Sequence, residues 1–156
     1  MDGVLCDFSQ HFKNVTGFNN RDPKEYHIHK LKMIGTDFYS NIPQYENTND
    51  LINFVVAQFG GYNICSSPMV EDWDNSVKHK LLWIANNLVI PPTNIYFTLD
   101  KYMHASSRSI LVDDHSKNIT EFIDHGGIGI DFKNGIDSYD DLLTKLLTIK
   151  GTITRD

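Results

Sequence analysis

The sequence predicts one α/β domain, in which a parallel β-sheet carries helices on both faces in a three-layer arrangement. From residue 49 onward, short apolar runs of strand length alternate with segments whose apolar residues recur every three or four positions. Polar residues follow directly after several of the short runs, and ligands bind at the carboxyl ends of parallel strands. A length of 156 residues suits one domain with one core.

The chain begins with Asp2 and Gly3 before an apolar run, a pattern typical of a loop that presents a carboxylate to a ligand. Phe8, Phe12 and Val15 lie at helical spacing, and Gly17 is a plausible stop. Residues 22 and 23 are Asp-Pro, which predicts the start of a second helix. We therefore expect a small helical insertion over about residues 9–45, with a core formed by residues 1–8 and 46–156.

The remaining elements follow from periodicity and from the residues that stop it. They are a helix over 49–58, a strand over 62–65, a helix over 75–88, strands over 95–99 and 109–112, a helix through Ile123 with Ser116 as its N-cap, a strand over 128–132, and a last helix that opens at Ser138. The inward residues predicted for the second core helix are Leu81, Leu82, Ile84, Ala85 and Leu88, and for the last helix Leu142, Leu143, Leu146 and Leu147.

Composition limits the class of partner. A net charge of −6 disfavours a nucleic-acid backbone as a ligand, but a small phosphorylated molecule needs only a local positive field. No apolar run approaches the roughly 20 residues of a membrane-spanning helix. The two cysteines have no zinc-like spacing, which favours reduced, packed thiols and a soluble cytoplasmic protein.

Three polar clusters follow predicted strands or open a helix. Asp113 and Asp114 after a strand suit a hard cation such as Mg²⁺, although a turn with an Asp cap is the commoner reason for this pattern. Ser66 and Ser67 place hydroxyls where a phosphate oxygen binds, and Lys80 is placed near a helix start. Taken singly, the two serines indicate an ordinary strand exit and the lysine a solvated side chain.

The order of these clusters resembles motifs I to IV of the haloacid dehalogenase (HAD) superfamily of phosphatases. The finer resemblance is to the 5′(3′)-deoxyribonucleotidases of phage and bacterial type, and it covers nearly the whole chain. It is carried by Met1–Phe8, Ile64–Met69, Lys80–Ile84 and Ile110–Asp114. The resemblance implies a HAD-like, Rossmann-like three-layer fold with a small cap between motifs I and II. In Thr98–Lys101, a leucine stands where relatives often carry Arg, which bears on substrate contacts.

The resemblance also implies a mechanism, namely Mg²⁺-dependent hydrolysis of nucleoside (deoxy)monophosphates through an aspartyl-phosphate. Asp2 would be the general acid and base, while Mg²⁺ would be bound by the family's nucleophilic Asp, by the Asp2 carbonyl and by Asp113, with Asp114 assisting. Ser66, Lys80, Gly3 and, more weakly, Ser67 would bind phosphate. The nucleophilic Asp of the family would stand immediately before Met1, and it is not among the 156 residues.

The family's central strand would also precede Met1, between the strands that end at Ser66 and Asp113. Without it, those strands are expected to stand about twice the ~4.8 Å pairing distance apart, across a slot. One hypothesis is that the natural chain starts earlier. The rival is a catalytically inactive relative that binds nucleotide or acts in assembly, with the slot filled by another segment or partner. A phosphoryl-accepting receiver domain is disfavoured, because its acid pair comes first. Base preference and the choice between monomer and homodimer stay open.

Overall fold

A computed structural model describes residues 1–153 of the chain. Its architecture is mixed α/β, with short parallel strand pairs and six α-helices in the described part. The elements in chain order are α1 (Phe8–Thr16), α2 (Pro23–His29), α3 (Thr48–Phe59), β1 (Asn63–Ser66), α4 (Trp73–Asn87), β2 (Asn94–Phe97), β3 (Ile110–Asp113), α5 (Ser116–Asp124), β4 (Ile128–Asp131) and α6 (Tyr139–Ile153). Short 3₁₀ helices occupy Lys30–Met33, Phe38–Ser40, Val70–Asp72 and Lys101–His104.

The strands form two separate two-stranded parallel sheets instead of the single sheet predicted from the sequence. In the first, β1 pairs with β2 from Asn63 opposite Asn94 to Ser66 opposite Phe97. In the second, β3 pairs with β4 from Ile110 opposite Ile128 to Asp113 opposite Asp131. The prediction of one continuous sheet is therefore wrong for residues 1–153, because no strand among them pairs with both β1 and β3. The expectation that β1 and β3 stand apart without pairing agrees with this topology.

Helix α5 packs directly on the second sheet because a glycine clears the space. A Cβ atom on Gly129 of β4 would lie 2.8 Å from Cγ2 of Ile119, so a larger residue there would push the helix away. Ile119 and Phe122 point inward from α5, and Leu142 and Leu146 point inward from α6. These side chains place apolar surface beside the sheets, and the burial of apolar area is the main term that stabilises such layers.

Residues 8–40 contain α1, α2 and two of the short 3₁₀ helices, joined by turns, which agrees with the helical character predicted for this part of the chain. The Asp7 carboxylate caps α1 by accepting a hydrogen bond from the Gln10 N–H at 3.0 Å, and Gly17 ends the helix with a left-handed φ of 81°. Asp22 caps α2 in the same way, and Pro23 occupies its first turn. Both caps satisfy N–H groups that a helix start leaves unpaired.

The first five residues form a tight turn that side chains from distant segments hold in place. Thr48 at the start of α3 donates its hydroxyl to the Leu5 carbonyl at 2.6 Å. Asn134 donates its side-chain amide to the Val4 carbonyl at 2.8 Å and its backbone N–H to the Gly3 carbonyl at 2.9 Å. These hydrogen bonds fix the backbone on which the Asp2 side chain is mounted.

Several details of the sequence prediction are corrected by the structure. The predicted inward face of α4 is wrong in part, because Leu81, Leu82 and Ala85 are exposed, while Trp83 is fully buried. Leu147 on α6 is 46% exposed. The N-cap of α5 is His115 and not Ser116, whose hydroxyl instead donates to Asp131. Within residues 1–153, no helix combines the length and the apolar character needed to cross a membrane.

Candidate functional site

Asp2, Lys80 and Ser66 meet at the carboxyl end of β1. The Lys80 ammonium lies 2.5 Å from Oδ2 of Asp2 and donates to the Ser66 hydroxyl oxygen at 3.0 Å. The Lys80 side chain is fully buried, whereas that of Asp2 is 28% exposed. Three residues that are far apart in the sequence therefore form one connected polar group, in which only the Asp2 side chain is partly exposed.

Lys80 does not lie where the sequence interpretation placed it. It sits in the middle of α4 and not at the helix start, and burial excludes the solvated side chain that its isolated context favours. Its ammonium also lies 4.8 Å from the centre of the Tyr39 ring, which provides an additional cation–π contact. A buried lysine with these partners presents positive charge at a fixed position.

A second buried ion pair lies at the carboxyl end of β3. The Lys101 ammonium is 2.5 Å from Oδ2 of Asp113, and their side chains are 8% and 4% exposed. Oδ1 of Asp113 accepts the His115 N–H at 2.9 Å and the Asn118 side-chain amide at 3.1 Å. The sequence interpretation missed Lys101, although it noted the preceding leucine. The signal in the sequence that could have identified Lys101 is its position shortly after a predicted strand, at the same carboxyl edge of the predicted sheet as Asp113.

Asp114 packs against Gly3, next to Asp2 in the sequence. A Cβ atom on Gly3, whose φ is 74°, would lie 2.0 Å from Oδ2 of Asp114, so only glycine permits this approach. Burial raises the pKa of the Asp114 carboxyl, and the negative charges of Asp113 and Asp2 raise it further. Among residues 1–153, no lysine, arginine or histidine forms a salt bridge with Asp114.

The pKa values of Asp2 and Asp113 are lowered, whereas that of Asp114 is raised. Burial by itself would raise the pKa of Asp2, but the nearby Lys80 and N-terminal ammonium groups outweigh it, and the pKa lies below its usual value. The pKa of Asp113 is lowered in the same way, against burial, by Lys101 and the N-terminal ammonium. Both carboxylates are therefore ionised at neutral pH.

Ser67 and Gly3, which the resemblance assigns to phosphate binding, form hydrogen bonds with other residues of the protein. The Ser67 hydroxyl donates to the Thr98 carbonyl at 3.0 Å, which ties the exit of β1 to the exit of β2. The Gly3 N–H donates to the Cys6 carbonyl at 2.9 Å. In this arrangement, both groups are engaged within the protein.

The oxygen atoms around Asp114 match the donor chemistry of Mg²⁺, which prefers carboxylate and carbonyl oxygens. In residues 1–153, Asp114 forms no salt bridge and the Asp2 carbonyl oxygen accepts no backbone hydrogen bond. Asp2 and Asp113, in contrast, each contact a lysine. In residues 1–153, no group of three or more His, Cys, Asp or Glu side chains has the spacing of a preformed metal site. A cation would therefore require the lysine contacts to rearrange.

No model of a known protein family matches this chain, and no curated protein matches it either.

Proposed function

We propose that the protein is a phosphatase of the HAD type, with a HAD-like three-layer core, that hydrolyses nucleoside (deoxy)monophosphates with Mg²⁺. The observation that carries the proposal is the convergence of Asp2, Ser66 and Lys80 at one rim, beside the Asp113–Asp114 pair. These positions come from separate parts of the chain. They include the acid, hydroxyl, lysine and acid pair on which the family resemblance rests.

Lys80 and Ser66 would hold the phosphate oxygens. The ammonium already lies within 3.0 Å of the Ser66 hydroxyl, so a phosphate oxygen bound between them would receive a charged and a neutral hydrogen bond. Desolvation of Lys80 strengthens its attraction for an anion, since the local dielectric is low. The same lysine now pairs with Asp2, so substrate and Asp2 would compete for it.

That competition gives Asp2 a route to general acid catalysis. In the structure, Lys80 holds the pKa of Asp2 below its usual value, which favours the ionised form. A bound phosphate dianion would add negative charge beside Asp2 and draw Lys80 away from it, and both changes raise the pKa of Asp2. Asp2 would then protonate the leaving nucleoside oxygen and later accept a proton from the attacking water.

The proposed reaction needs two further components, a nucleophilic carboxylate and Mg²⁺. The nucleophilic carboxylate would come from the residue joined to Met1, so the proposal concerns a polypeptide that supplies an aspartate there. Mg²⁺ would be held by Asp113, the Asp2 carbonyl and Asp114, and when bound would neutralise negative charge on the phosphoryl group.

A second candidate is a non-catalytic nucleotide-binding or assembly protein of the same type. It is favoured by one observation, that Asp2 and Asp113 are each neutralised by a buried lysine, an arrangement stable without a cation. Lys80 and Ser66 could still bind a phosphate group in such a protein.

A phosphatase assay separates the two candidates. The protein extended by a strand that ends in Asp before Met1 is incubated with several deoxyribonucleoside monophosphates, with and without Mg²⁺, and released phosphate is measured. We expect Mg²⁺-dependent turnover, and we expect Asp2→Asn to abolish it while leaving the fold nearly intact. Asp124→Asn, a matched loss of charge at the exposed end of α5, should retain turnover.

Turnover by Asp2→Asn would refute the role given to Asp2. If the extended protein has no activity but binds a deoxynucleotide in a manner that requires Lys80, the non-catalytic candidate is correct.

A further inference from the structure

Tyr39 is a third partner of the Lys80 ammonium, and it comes from the helical insertion. The 3₁₀ helix Phe38–Ser40 carries Tyr39, which is 5% exposed, and the ammonium lies over its ring at 4.8 Å from the ring centre. The other two partners, Asp2 and Ser66, belong to the N-terminal turn and to β1. Within residues 1–153, the ammonium forms no further hydrogen bond or salt bridge. The ring face therefore completes the environment of this buried charge.

Two adjacent contacts fix this 3₁₀ helix against α4. The hydroxyl of Ser40, which follows Tyr39, hydrogen-bonds to Nδ1 of His79 at 3.0 Å, and His79 precedes Lys80. Neighbouring residues of the 3₁₀ helix thus contact neighbouring residues of α4. The Phe38 ring also packs edge-on against the Tyr39 ring, with centroids 5.3 Å apart and an interplanar angle of 80°. The Tyr39 ring consequently has little freedom to move away from the ammonium.

The ring contact does not depend on the Tyr39 hydroxyl. Burial raises the pKa of Tyr39, and the negative charge of Asp2 raises it further, so the phenol stays neutral. The attraction of an ammonium for a neutral ring comes from the negative electrostatic potential of the π face, which phenylalanine also has. A phenylalanine at position 39 would therefore keep the contact, whereas an aliphatic side chain would remove it.

The ring competes with Asp2 for the ammonium without neutralising it. If the ring were removed, the neutral Ser66 hydroxyl would be the remaining contact that opposes movement of Lys80 towards the Asp2 carboxylate. A lysine paired fully with Asp2 is less available to an anion, and the apparent affinity for the anion falls in proportion to the available fraction. The Tyr39 ring thus favours the position from which Lys80 can reach an anion beside Ser66.

We infer that Tyr39 is a positioning residue, which holds the Lys80 ammonium at the rim beside Ser66 through the face of its ring. That the anion bound there is a phosphate group rests on the proposed function. The helical insertion would then take part in phosphate binding without touching the phosphate, because its ring fixes the group that does.

NMR of the lysine side chains in the 156-residue chain measures the position of the ammonium. Protons over an aromatic ring face resonate upfield, so the ε-methylene protons of Lys80 should lie upfield of those of Lys78, which is exposed on the same helix. The shift should persist in Tyr39→Phe. It should disappear in Tyr39→Leu and in Tyr39→Met, two variants that fill the space without a ring. Phe38→Leu is the matched control and should keep the shift, because Phe38 is equally buried but forms no cation–π contact within residues 1–153.

Binding of inorganic phosphate in the absence of Mg²⁺ measures the consequence. Phosphate is titrated into the 156-residue chain in a calorimeter, and Lys80→Met shows how much of the binding requires the ammonium. Tyr39→Leu and Tyr39→Met should weaken the Lys80-dependent binding by about five- to thirtyfold, the factor that corresponds to a cation–π contact of a desolvated cation. Tyr39→Phe and Phe38→Leu should bind phosphate with nearly the original affinity.

The two measurements separate the role of Tyr39 from that of Lys80. Equal losses of shift and affinity in Tyr39→Leu and Phe38→Leu would overturn the inference, because the ring would then act through general packing. Equal losses in Tyr39→Phe would also overturn it, because the hydroxyl would then be the group that acts. If the original chain binds phosphate no better than Lys80→Met while the NMR shift behaves as expected, the phosphate-binding role of Lys80 is wrong, and the positioning of its ammonium by Tyr39 stands.

Discussion

We predict that Lys101→Met destabilises the protein strongly at neutral pH. Methionine keeps the length and apolar character of the lysine stem but removes the ammonium that pairs with Asp113. The carboxylate, whose side chain is only 4% exposed, would keep its hydrogen bonds from His115 and Asn118 and lose its charged partner.

The size of the effect follows from burial. Removal of one partner from a buried ion pair costs about 3–5 kcal/mol, because the other charge is left uncompensated. The two remaining hydrogen bonds and the N-terminal ammonium still stabilise Asp113, so we expect a value near the lower limit. A domain of this size has a free energy of unfolding of about 5–15 kcal/mol, so the Lys101→Met variant should still fold.

The loss of stability caused by Lys101→Met should become smaller as the pH falls. In the original protein, the pKa of Asp113 lies below its usual value of 3.8, so its contribution to stability is present above that value and is lost as the pH falls through the lower folded pKa. In the Lys101→Met variant, burial should instead raise the pKa of Asp113. Protonation would then relieve the buried charge, and the stabilities of the two proteins should converge between pH 7 and pH 3.

Urea denaturation at pH 7 and at lower pH values measures both quantities. Lys133→Met is the matched control, because Lys133 pairs with Asp131 on the surface, where the side chains are 44% and 37% exposed. Such pairs contribute less than about 1 kcal/mol. The reasoning is refuted if Lys101→Met costs no more than Lys133→Met, or if its cost is the same at every pH.

Two further substitutions test local geometry. Gly3→Ala should lower the free energy of unfolding by about 2–3 kcal/mol, since it combines a left-handed φ with a clash against Asp114. Gly35 has a φ of 70° and open space around it, so Gly35→Ala should lower the free energy of unfolding by only about 1 kcal/mol, and thermal melts compare the two variants. Trp83→Phe should lower the free energy of unfolding by about 2 kcal/mol or more, because it removes the indole N–H that donates to the Ile42 carbonyl at 2.6 Å in the core. Chemical denaturation measures this loss of stability.

Local signals in the sequence predicted most elements to within a few residues. Gly17 ends α1 and Gly60 ends α3, both with positive φ, because a C-cap in the left-handed conformation strongly favours glycine. Ser138 accepts a hydrogen bond from the Asp141 N–H at the start of α6, as the spacing predicts. Such caps involve residues close in sequence, so their physical cause is visible in the sequence alone.

Contacts between residues that are far apart in the sequence were harder to predict. The ion pair of Lys101 with Asp113 depends on how a 3₁₀ helix after β2 folds against the end of β3, which no periodicity encodes. Lys80 was misplaced because a lysine in an amphipathic helix usually points to solvent. Its burial is possible only because Asp2, Ser66 and Tyr39 converge on it from other segments.

The amino group of Met1 takes part in the charge balance of the acidic site. Three carboxylates, Asp2, Asp113 and Asp114, are balanced by the two lysines and the N-terminal ammonium. Acetylation of the Met1 amino group would turn that ammonium into a neutral amide and leave the cluster one charge more negative. Because a divalent cation is attracted more strongly to a cluster with excess negative charge, the acetylated chain should bind Mg²⁺ more tightly than the unmodified 156-residue chain in calorimetric titration. Equal affinity would show that the amino group of Met1 does not neutralise this cluster.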